Sequence, residues 1–160
     1  MATLVHATRV GTVRVADVMV TIPKTHDERL DVAGARRAFG DDHVHMLLLT
    51  SGRRLVSAVV RADLGTWSDE RAPATAVGTL VGRTVRPSLP ADQALADMRR
   101  HGLRRLAVVD DDGVLVGLLC LKRTLTGWCS DDGVRSRASA AQAGTSAADD
   151  APSRPAVDRR

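Results

Sequence analysis

Along the chain, a segment with apolar residues at helical spacing is followed by two short apolar runs joined by a polar turn, and this order occurs twice. In the clearer, second copy, the segment ADQALADMRRHG places its apolar residues at helical spacing and ends at Gly102, which predicts an amphipathic helix. The wholly apolar run Leu106–Val109 that follows predicts a strand buried on both faces. The polar turn DDDG then leads into a second apolar run, Val114–Leu121, so the two runs predict a hairpin.

The first copy lies about sixty positions upstream and repeats this order. A helix is predicted from Asp31 to Phe39, a strand over Val44–Leu49, a turn at TSGR and a return strand at LVSAVV. The segments RADLGTW and LCLKRTL after the two return strands each predict the start of another helix. Short upstream segments, VRVADVM and AVGTLVGRTV, complete the two units.

These elements predict a mixed α/β (α+β) fold built from two β-α-β-β-α units. We assign residues 1–12 to an N-terminal extension, 13–67 to the first unit, 68–75 to a linker, 76–129 to the second unit and 130–160 to a tail. The tail is composed largely of Ala, Ser, Asp and Arg without an amphipathic period, so it is predicted to be disordered.

Composition narrows the classes of function. One Phe, no Tyr and two Trp leave an aliphatic core with few platforms for stacking bases, and the formal net charge is only +4, so nucleic-acid binding is not expected. The sequence has neither a membrane-spanning apolar run nor a signal peptide, which predicts a cytoplasmic protein. In that reducing compartment, Cys120 and Cys129 are expected to be free thiols.

The order of these segments resembles the CBS-domain family, most specifically in GLRRLAVVDDDGVLVGLLCLKRTL and also in VADVM ahead of the first unit. The resemblance covers about Val13 to Trp128, and the Arg- and Ala-rich composition is similar to that of high-GC, actinobacterial-like proteins. It implies tandem CBS domains packed through their sheets as a pseudo-twofold pair that often dimerises. It also implies a regulatory rather than catalytic module, whose possible ligands include AMP, ADP, ATP and S-adenosylmethionine.

Two positions where a return strand ends carry candidate ligand-binding residues, because backbone N–H groups at the start of a helix attract anions. The first junction comprises Val60–Asp63, in which Arg61 is a candidate phosphate ligand and Asp63 a candidate ribose ligand. The second junction comprises Cys120–Arg123, in which Lys122 and Arg123 are candidate phosphate ligands. Capping of its own helix by Asp63 and solvated roles for the cations are the alternatives.

The CBS resemblance implies a hydroxyl at the end of the return strand and a carboxylate or amide three residues later. Val60 and Cys120 occupy the hydroxyl positions, and only the first junction keeps the acidic residue, as Asp63. A cation, Arg123, stands at the corresponding position of the second junction and would attract a phosphate rather than accept ribose hydroxyls.

Two functions remain open at this point. The first is a ligand-sensing module that binds an adenosine nucleotide or another small anion and signals to a separate regulated protein. The second is a ligand-independent, homodimeric interaction platform with degenerate nucleotide sites. His43 and His45 lack the further ligands of a metal site, and no nucleophile has a base beside it, so we predict neither a metal centre nor catalysis.

Overall fold

A computed structural model describes residues 11–133, and within residues 11–130 the chain forms two three-stranded sheets and three α-helices. The sheets have the strand orders β1-β2-β3 and β4-β5-β6, and each combines a parallel pair with an antiparallel hairpin. The helices are α1 (Val15–Val18), α2 (Val32–Ala38) and α3 (Ala91–Arg100), and the strands are β1 (Thr25–Asp27), β2 (Leu47–Ser51), β3 (Arg54–Val59), β4 (Thr84–Val85), β5 (Arg105–Val109) and β6 (Leu115–Cys120).

The predicted internal repeat is confirmed, since each sheet carries one helix on the connection between its parallel strands. The predicted helix over Asp31–Phe39 is α2, and the Asp31 carboxylate caps it by accepting a hydrogen bond from the Gly34 amide at 2.7 Å. Strand β2 begins at Leu47 rather than at Val44, because the Val44 amide instead closes a turn onto the Asp41 carbonyl.

The segments that lead into β1 and β4 each pack on the opposite repeat before entering their own sheet. Helix α1 contributes to the core of the second repeat, and Val20 exchanges backbone hydrogen bonds of 2.8 and 2.9 Å with Leu118 of β6. In the same way, the amide of Thr79 donates to the carbonyl of Ala58 in β3 at 3.0 Å. This exchange ties the two repeats together through their backbones.

The core has one apolar cluster in each repeat and a third that joins the two sheets. The joining cluster contains Leu48, Leu55, Ala58 and Ala107, drawn from β2, β3 and β5, and all four are buried. The tips of the two hairpins also touch, since the Leu55 amide donates to the Gly113 carbonyl at 3.1 Å. The two repeats therefore bury a common core through their sheets.

Of the two helices predicted after the return strands, the first is short and the second is absent. After β3 there is only a 3₁₀ helix of four residues, Arg61–Leu64. After β6 there is no helix in residues 121–130; the chain turns back instead, with the Lys122 amide donating to the Gly127 carbonyl at 2.9 Å. The second junction therefore has no helix dipole to attract an anion.

The prediction of free thiols is also wrong. Cys120 at the end of β6 and Cys129 form a disulfide, with their Cα atoms 5.3 Å apart. Sequence spacing alone did not indicate this pair, because the intervening residues bring the two cysteines together only by turning back on themselves. Cys120 is thus a covalent partner of Cys129 and has no free side-chain donor for a ligand.

Within residues 11–133 there is no helix with the length and apolar character needed to cross a bilayer. The predicted disordered tail lies outside the described residues from position 134 onward, and most of the predicted N-terminal extension likewise precedes them.

Candidate functional site

A cavity of about 250 Å³ opens at the first junction, between the two repeats. The first repeat lines it with the residues that precede β2 and with Val60, which follows β3. The second repeat lines it with the connection from α3 into β5. We call this cavity the junction cleft, and its lining residues are His45, Met46, Val60, Gly102, Leu103, Arg104 and Arg105.

The junction cleft is basic. Arg104 and Arg105 enter it because Gly102, with a positive φ of 64°, ends α3 and turns the chain into β5. The Nε atom of Arg104 is buried and has no hydrogen-bond partner among the described residues. A buried donor of this kind is costly unless an acceptor meets it, so the cleft suits a ligand with anionic oxygens.

The positive potential of the junction cleft acts on the pKa of His45. Burial lowers the pKa of His45 below its usual 6.5, and nearby positive charges lower it further. Those charges belong to Arg105, Arg104, Arg61 and His43. An anion bound among them would offset this repulsion and favour the protonated imidazole.

Asp63, the predicted ribose ligand, is held in an ion pair. Its Oδ1 and Oδ2 atoms accept from the Arg83 guanidinium at 2.8 and 2.6 Å, and its Oδ2 atom also accepts from the Val60 amide at 2.9 Å. Arg83 additionally donates to the Ala58 carbonyl at 2.7 Å. The pair therefore connects the end of β3 to the segment just before β4.

Burial raises the pKa of Asp63, but hydrogen bonds from Arg83 and the Val60 amide, together with the Arg83 charge, outweigh burial and lower it below 3.8. The carboxylate is therefore ionised at neutral pH. A carboxylate offers about four acceptor positions, and three are occupied, so Oδ1 keeps room for one ribose hydroxyl.

Arg61, the predicted phosphate ligand of the first junction, is exposed, and its guanidinium carbon lies 5.6 Å from the centre of the Phe39 ring. This cation–π contact orients the side chain at the end of α2. Its charge also acts on His45. The structure thus brings Val60, Arg61 and Asp63 together beside the junction cleft, although only Val60 lines it.

The three predicted residues of the second junction do not form a comparable site. Lys122 and Arg123 are exposed in the turn after β6, and Cys120 is in the disulfide. None of them lines the junction cleft or the larger cavity described below.

A larger cavity of about 600 Å³ lies within the second repeat, between β4, α3 and β5. Its cations are already matched by acids, because Arg86 pairs with Asp111 at 2.6 Å and Arg100 pairs with Asp97 at 3.2 Å. The smaller junction cleft is therefore the better site for an anion. Among the described residues, no three His, Cys, Asp or Glu side chains form a metal-binding group.

Sequence reasoning missed Arg83, Arg104 and Arg105 as members of the site, and considered His45 only as a metal ligand. The one available signal was the density of cations in RRHGLRR, directly before a buried strand. Arg83 gave no signal, because it reaches Asp63 across twenty residues of chain.

Residues 80–125 match the CBS domain. Three solved structures with related folds have been determined with ligands: the cytosolic domain of the Mg²⁺ channel MgtE with ATP, CBS domain protein PAE2072 from Pyrobaculum aerophilum with AMP, and the CBS domain pair of MJ0100 with 5′-methylthioadenosine and S-adenosyl-L-methionine. No curated sequence is similar enough to this chain to count as a relative.

Identity to these structures is low, so the similarity establishes the fold alone. The MgtE domain is 21% identical with a TM-score of 0.53, and the match covers 67% of this chain and 45% of that domain. PAE2072 is 24% identical with a TM-score of 0.56, covering 71% of this chain and 95% of PAE2072. MJ0100 is 16% identical with a TM-score of 0.56, covering 82% of this chain and 99% of that pair.

Proposed function

We propose that this chain, which matches the CBS domain over residues 80–125 and has the fold of a CBS domain pair, is a regulatory module that binds an adenosine nucleotide or a related small anion in the junction cleft. The module passes the bound state to a separate regulated protein, acts as a cytoplasmic homodimer and catalyses no reaction. The observation that carries this proposal is the unpartnered, buried Nε of Arg104 in a basic cleft between the repeats.

Each part of a nucleotide has a complementary group at the first junction. Phosphate oxygens would accept from Arg104 and be attracted by Arg61, since charge-assisted hydrogen bonds are the strong ones in such sites. One ribose hydroxyl would donate to the remaining acceptor position of Asp63. Apolar atoms of Met46, Val60 and Leu103 line the cleft and would contact the base.

A thermal-shift panel tests this function. Unfolding of the wild-type protein is followed with AMP, ADP, ATP and S-adenosylmethionine, because a ligand that binds only the folded state raises Tm. At a hundred times its Kd, such a ligand adds about 2.7 kcal/mol of stability, which corresponds to a rise in Tm on the order of 10 °C. Arg104→Gln is expected to weaken binding about tenfold or more through loss of the charged donor.

Lys122→Gln is the matched control, since Lys122 is an exposed cation of the second junction. The control is expected to bind as the wild type does. If Lys122→Gln abolished the shift while Arg104→Gln preserved it, the site would lie at the second junction and the assignment to the junction cleft would be wrong.

Anion binding is also expected to depend on pH through His45. The lowered pKa leaves the free imidazole largely neutral at pH 7, and a bound anion raises that pKa, so binding takes up a proton. Affinity for sulfate, which does not titrate here, is expected to rise as pH falls toward and below 6.5, by up to about tenfold per pH unit.

His45→Gln is expected to flatten this pH dependence, whereas His101→Gln, an exposed histidine beside the larger cavity, is expected to retain it. Sulfate affinities measured by NMR titration at several pH values provide the comparison. An unchanged slope in His45→Gln would mean that another group takes up the proton.

The ligand-independent interaction platform remains the second candidate, and the ion pair that Asp63 already forms with Arg83 favours it. Arg83 already satisfies most of that carboxylate, so the ion pair alone stabilises the junction without a ligand. This alternative predicts a dimer in light scattering and a cooperative melt that no nucleotide shifts. A strictly monomeric protein would contradict it.

A further inference from the structure

The backbone at Cys120 of the disulfide is paired with the backbone of Arg104 and Arg105, the cations of the junction cleft. Cys120 is the register partner of Arg105 in the β5–β6 pair, and the amide of the next residue, Leu121, donates to the Arg104 carbonyl at 2.9 Å. A change in the backbone at Cys120 would therefore act on the two residues that give the cleft its charge.

The segment enclosed by the disulfide forms a closed loop. Within it, Leu121 and Trp128 form a β-bridge, and the amide of Cys129 donates to the carbonyl of Cys120 at 2.7 Å. Leu125 at the tip has a positive φ of 58°, a backbone conformation that residues other than glycine rarely adopt. We call Leu121–Trp128 the disulfide loop; the bond between Cys120 and Cys129 joins its two ends.

A second contact connects the disulfide loop to α3. The Arg99 guanidinium in the last turn of α3 donates to the Leu125 carbonyl at 2.5 Å. Helix α3 runs on directly into Gly102–Arg105, which lines the junction cleft. The disulfide loop is therefore joined to the cleft both through β5 and through the end of α3.

We propose that Cys120 and Cys129 are a reversible thiol–disulfide pair whose oxidation state sets the anion affinity of the junction cleft. Oxidation fixes the disulfide loop, and with it the backbone of Arg104, so that the oxidised form binds anions more tightly through preorganisation. This coupling rests on the proposed function, whereas the thiol chemistry itself does not. If the proposed cytoplasmic location holds, the reducing compartment adds support, because disulfides there are usually transient, catalytic or redox-sensing.

The exchange needs a dithiol reductant of the thioredoxin class. Its thiolate attacks the sulfur of Cys129, which at 8% exposure is the less deeply buried of the two cysteines, and the electron pair of the broken S–S bond passes to the sulfur of Cys120, which takes up a proton. The reductant's second thiol then breaks the mixed disulfide and releases Cys129 as a thiol. In sum, the pair gains two electrons and two protons, and the reductant becomes a disulfide.

The first part of the test follows the thiols. The full chain is equilibrated at several protein concentrations in glutathione buffers of graded ratio, and its thiols are alkylated and counted by mass spectrometry. We expect an intramolecular conversion whose midpoint does not depend on protein concentration. A pair that never oxidises, or that oxidises only between molecules, would overturn the proposal.

The second part measures affinity for pyrophosphate in each state. The oxidised wild type is expected to bind at least about fivefold more tightly than the reduced form, in the range of ordinary allosteric coupling. Cys129→Ser and Cys120→Ala are each expected to bind like the reduced form in either buffer. Equal affinities of the oxidised and reduced wild type would overturn the coupling.

The failure of this inference is distinguishable from failure of the proposed function. If neither form binds pyrophosphate, the ligand site is wrong, and the amide NMR spectrum then decides the redox proposal. Shifts at Arg99, Arg104 and Lys122 on reduction of the wild type, absent in Cys129→Ser, would support a loop that acts on the cleft. An unchanged spectrum at Arg99 and Arg104 would overturn it.

Discussion

Replacing Arg83 with methionine is expected to lower the free energy of unfolding by about 2–3 kcal/mol, because it leaves the Asp63 carboxylate in a partly buried position without its charged partner. The Ala58 carbonyl loses a donor in the same variant. Both side chains of the pair are less than one-fifth exposed, so solvent compensates only in part. Urea denaturation at neutral pH gives the value.

The same variant is expected to change the response to acid. The folded-state pKa of Asp63 is lowered, so its contribution to stability is present above the unfolded value of 3.8 and is lost as pH falls through the lower folded value. Without Arg83 the folded pKa rises toward the unfolded value. Arg83→Met should therefore lose less additional stability than the wild type below pH 3.8.

Arg86→Met is the matched control for both experiments. Arg86 pairs with Asp111 at the same 2.6 Å, but the two side chains are 53% and 99% exposed. An exposed pair contributes less than about 1 kcal/mol, so this variant should unfold and titrate like the wild type. Equal losses of unfolding free energy in the two variants would show that the Asp63–Arg83 pair stabilises the fold no more than an exposed pair does.

Gly78→Ala is expected to destabilise the protein by about 2–3 kcal/mol through overpacking. A Cβ atom at Gly78 would lie 2.8 Å from both the Ala58 carbonyl oxygen and a methyl group of Val59, and would collide with the Ser57 hydroxyl. A backbone oxygen cannot be moved aside as the end of a long side chain can. The segment around Gly78, which leads into β4, would have to move away from β3. Thermal or urea unfolding would detect the resulting loss of stability.

Gly65→Ala controls for the loss of glycine flexibility. Gly65 is exposed, has helical φ and ψ of −58° and −38°, and would place its Cβ at an ordinary 3.4 Å from the nearest atom, the Ala62 carbonyl oxygen. Its replacement is expected to be neutral or slightly stabilising. A Gly78→Ala variant as stable as Gly65→Ala would contradict the tight crossing.

The segments that lead into β1 and β4 each cross the opposite repeat, and at each crossing a glycine makes room for the neighbouring residue. In the first repeat, Gly78 on the crossing segment lies against Ser57 of β3. In the second, the larger Met19 is on the crossing segment and Gly117 of β6 makes room for it. One small residue at each crossing therefore allows the two repeats to approach closely.

Regular elements could be predicted from the sequence because their signals are local. The apolar spacing in α3 and the continuous apolar runs of β5 and β6 agree with the structure to within one or two residues. The helix expected after β3 is only a short 3₁₀ helix, and the one expected after β6 is absent, because short segments without a clear apolar period cannot show whether a helix continues. After β6 the disulfide and the turn at Leu125 take its place.

The candidate site was harder to predict than the fold because it is assembled from distant segments. Val60, Arg61 and Asp63 were predicted as site residues from their position at a strand end, but Arg104, which lines the cleft together with Val60, comes from the other repeat. Likewise, the Asp63–Arg83 pair depends on how the chain passes between the sheets. No local pattern encodes either relation.

The most direct test of the junction cleft as an anion site is an amide NMR titration of the full wild-type chain with AMP and, in parallel, with ATP. We expect saturable shifts concentrated at His45, Val60 and Arg104, absent in Arg104→Gln, while Lys122 and Arg123 remain unchanged. Saturable shifts confined to the second junction or to the larger cavity, or no saturable shift with either nucleotide, would contradict the proposed function.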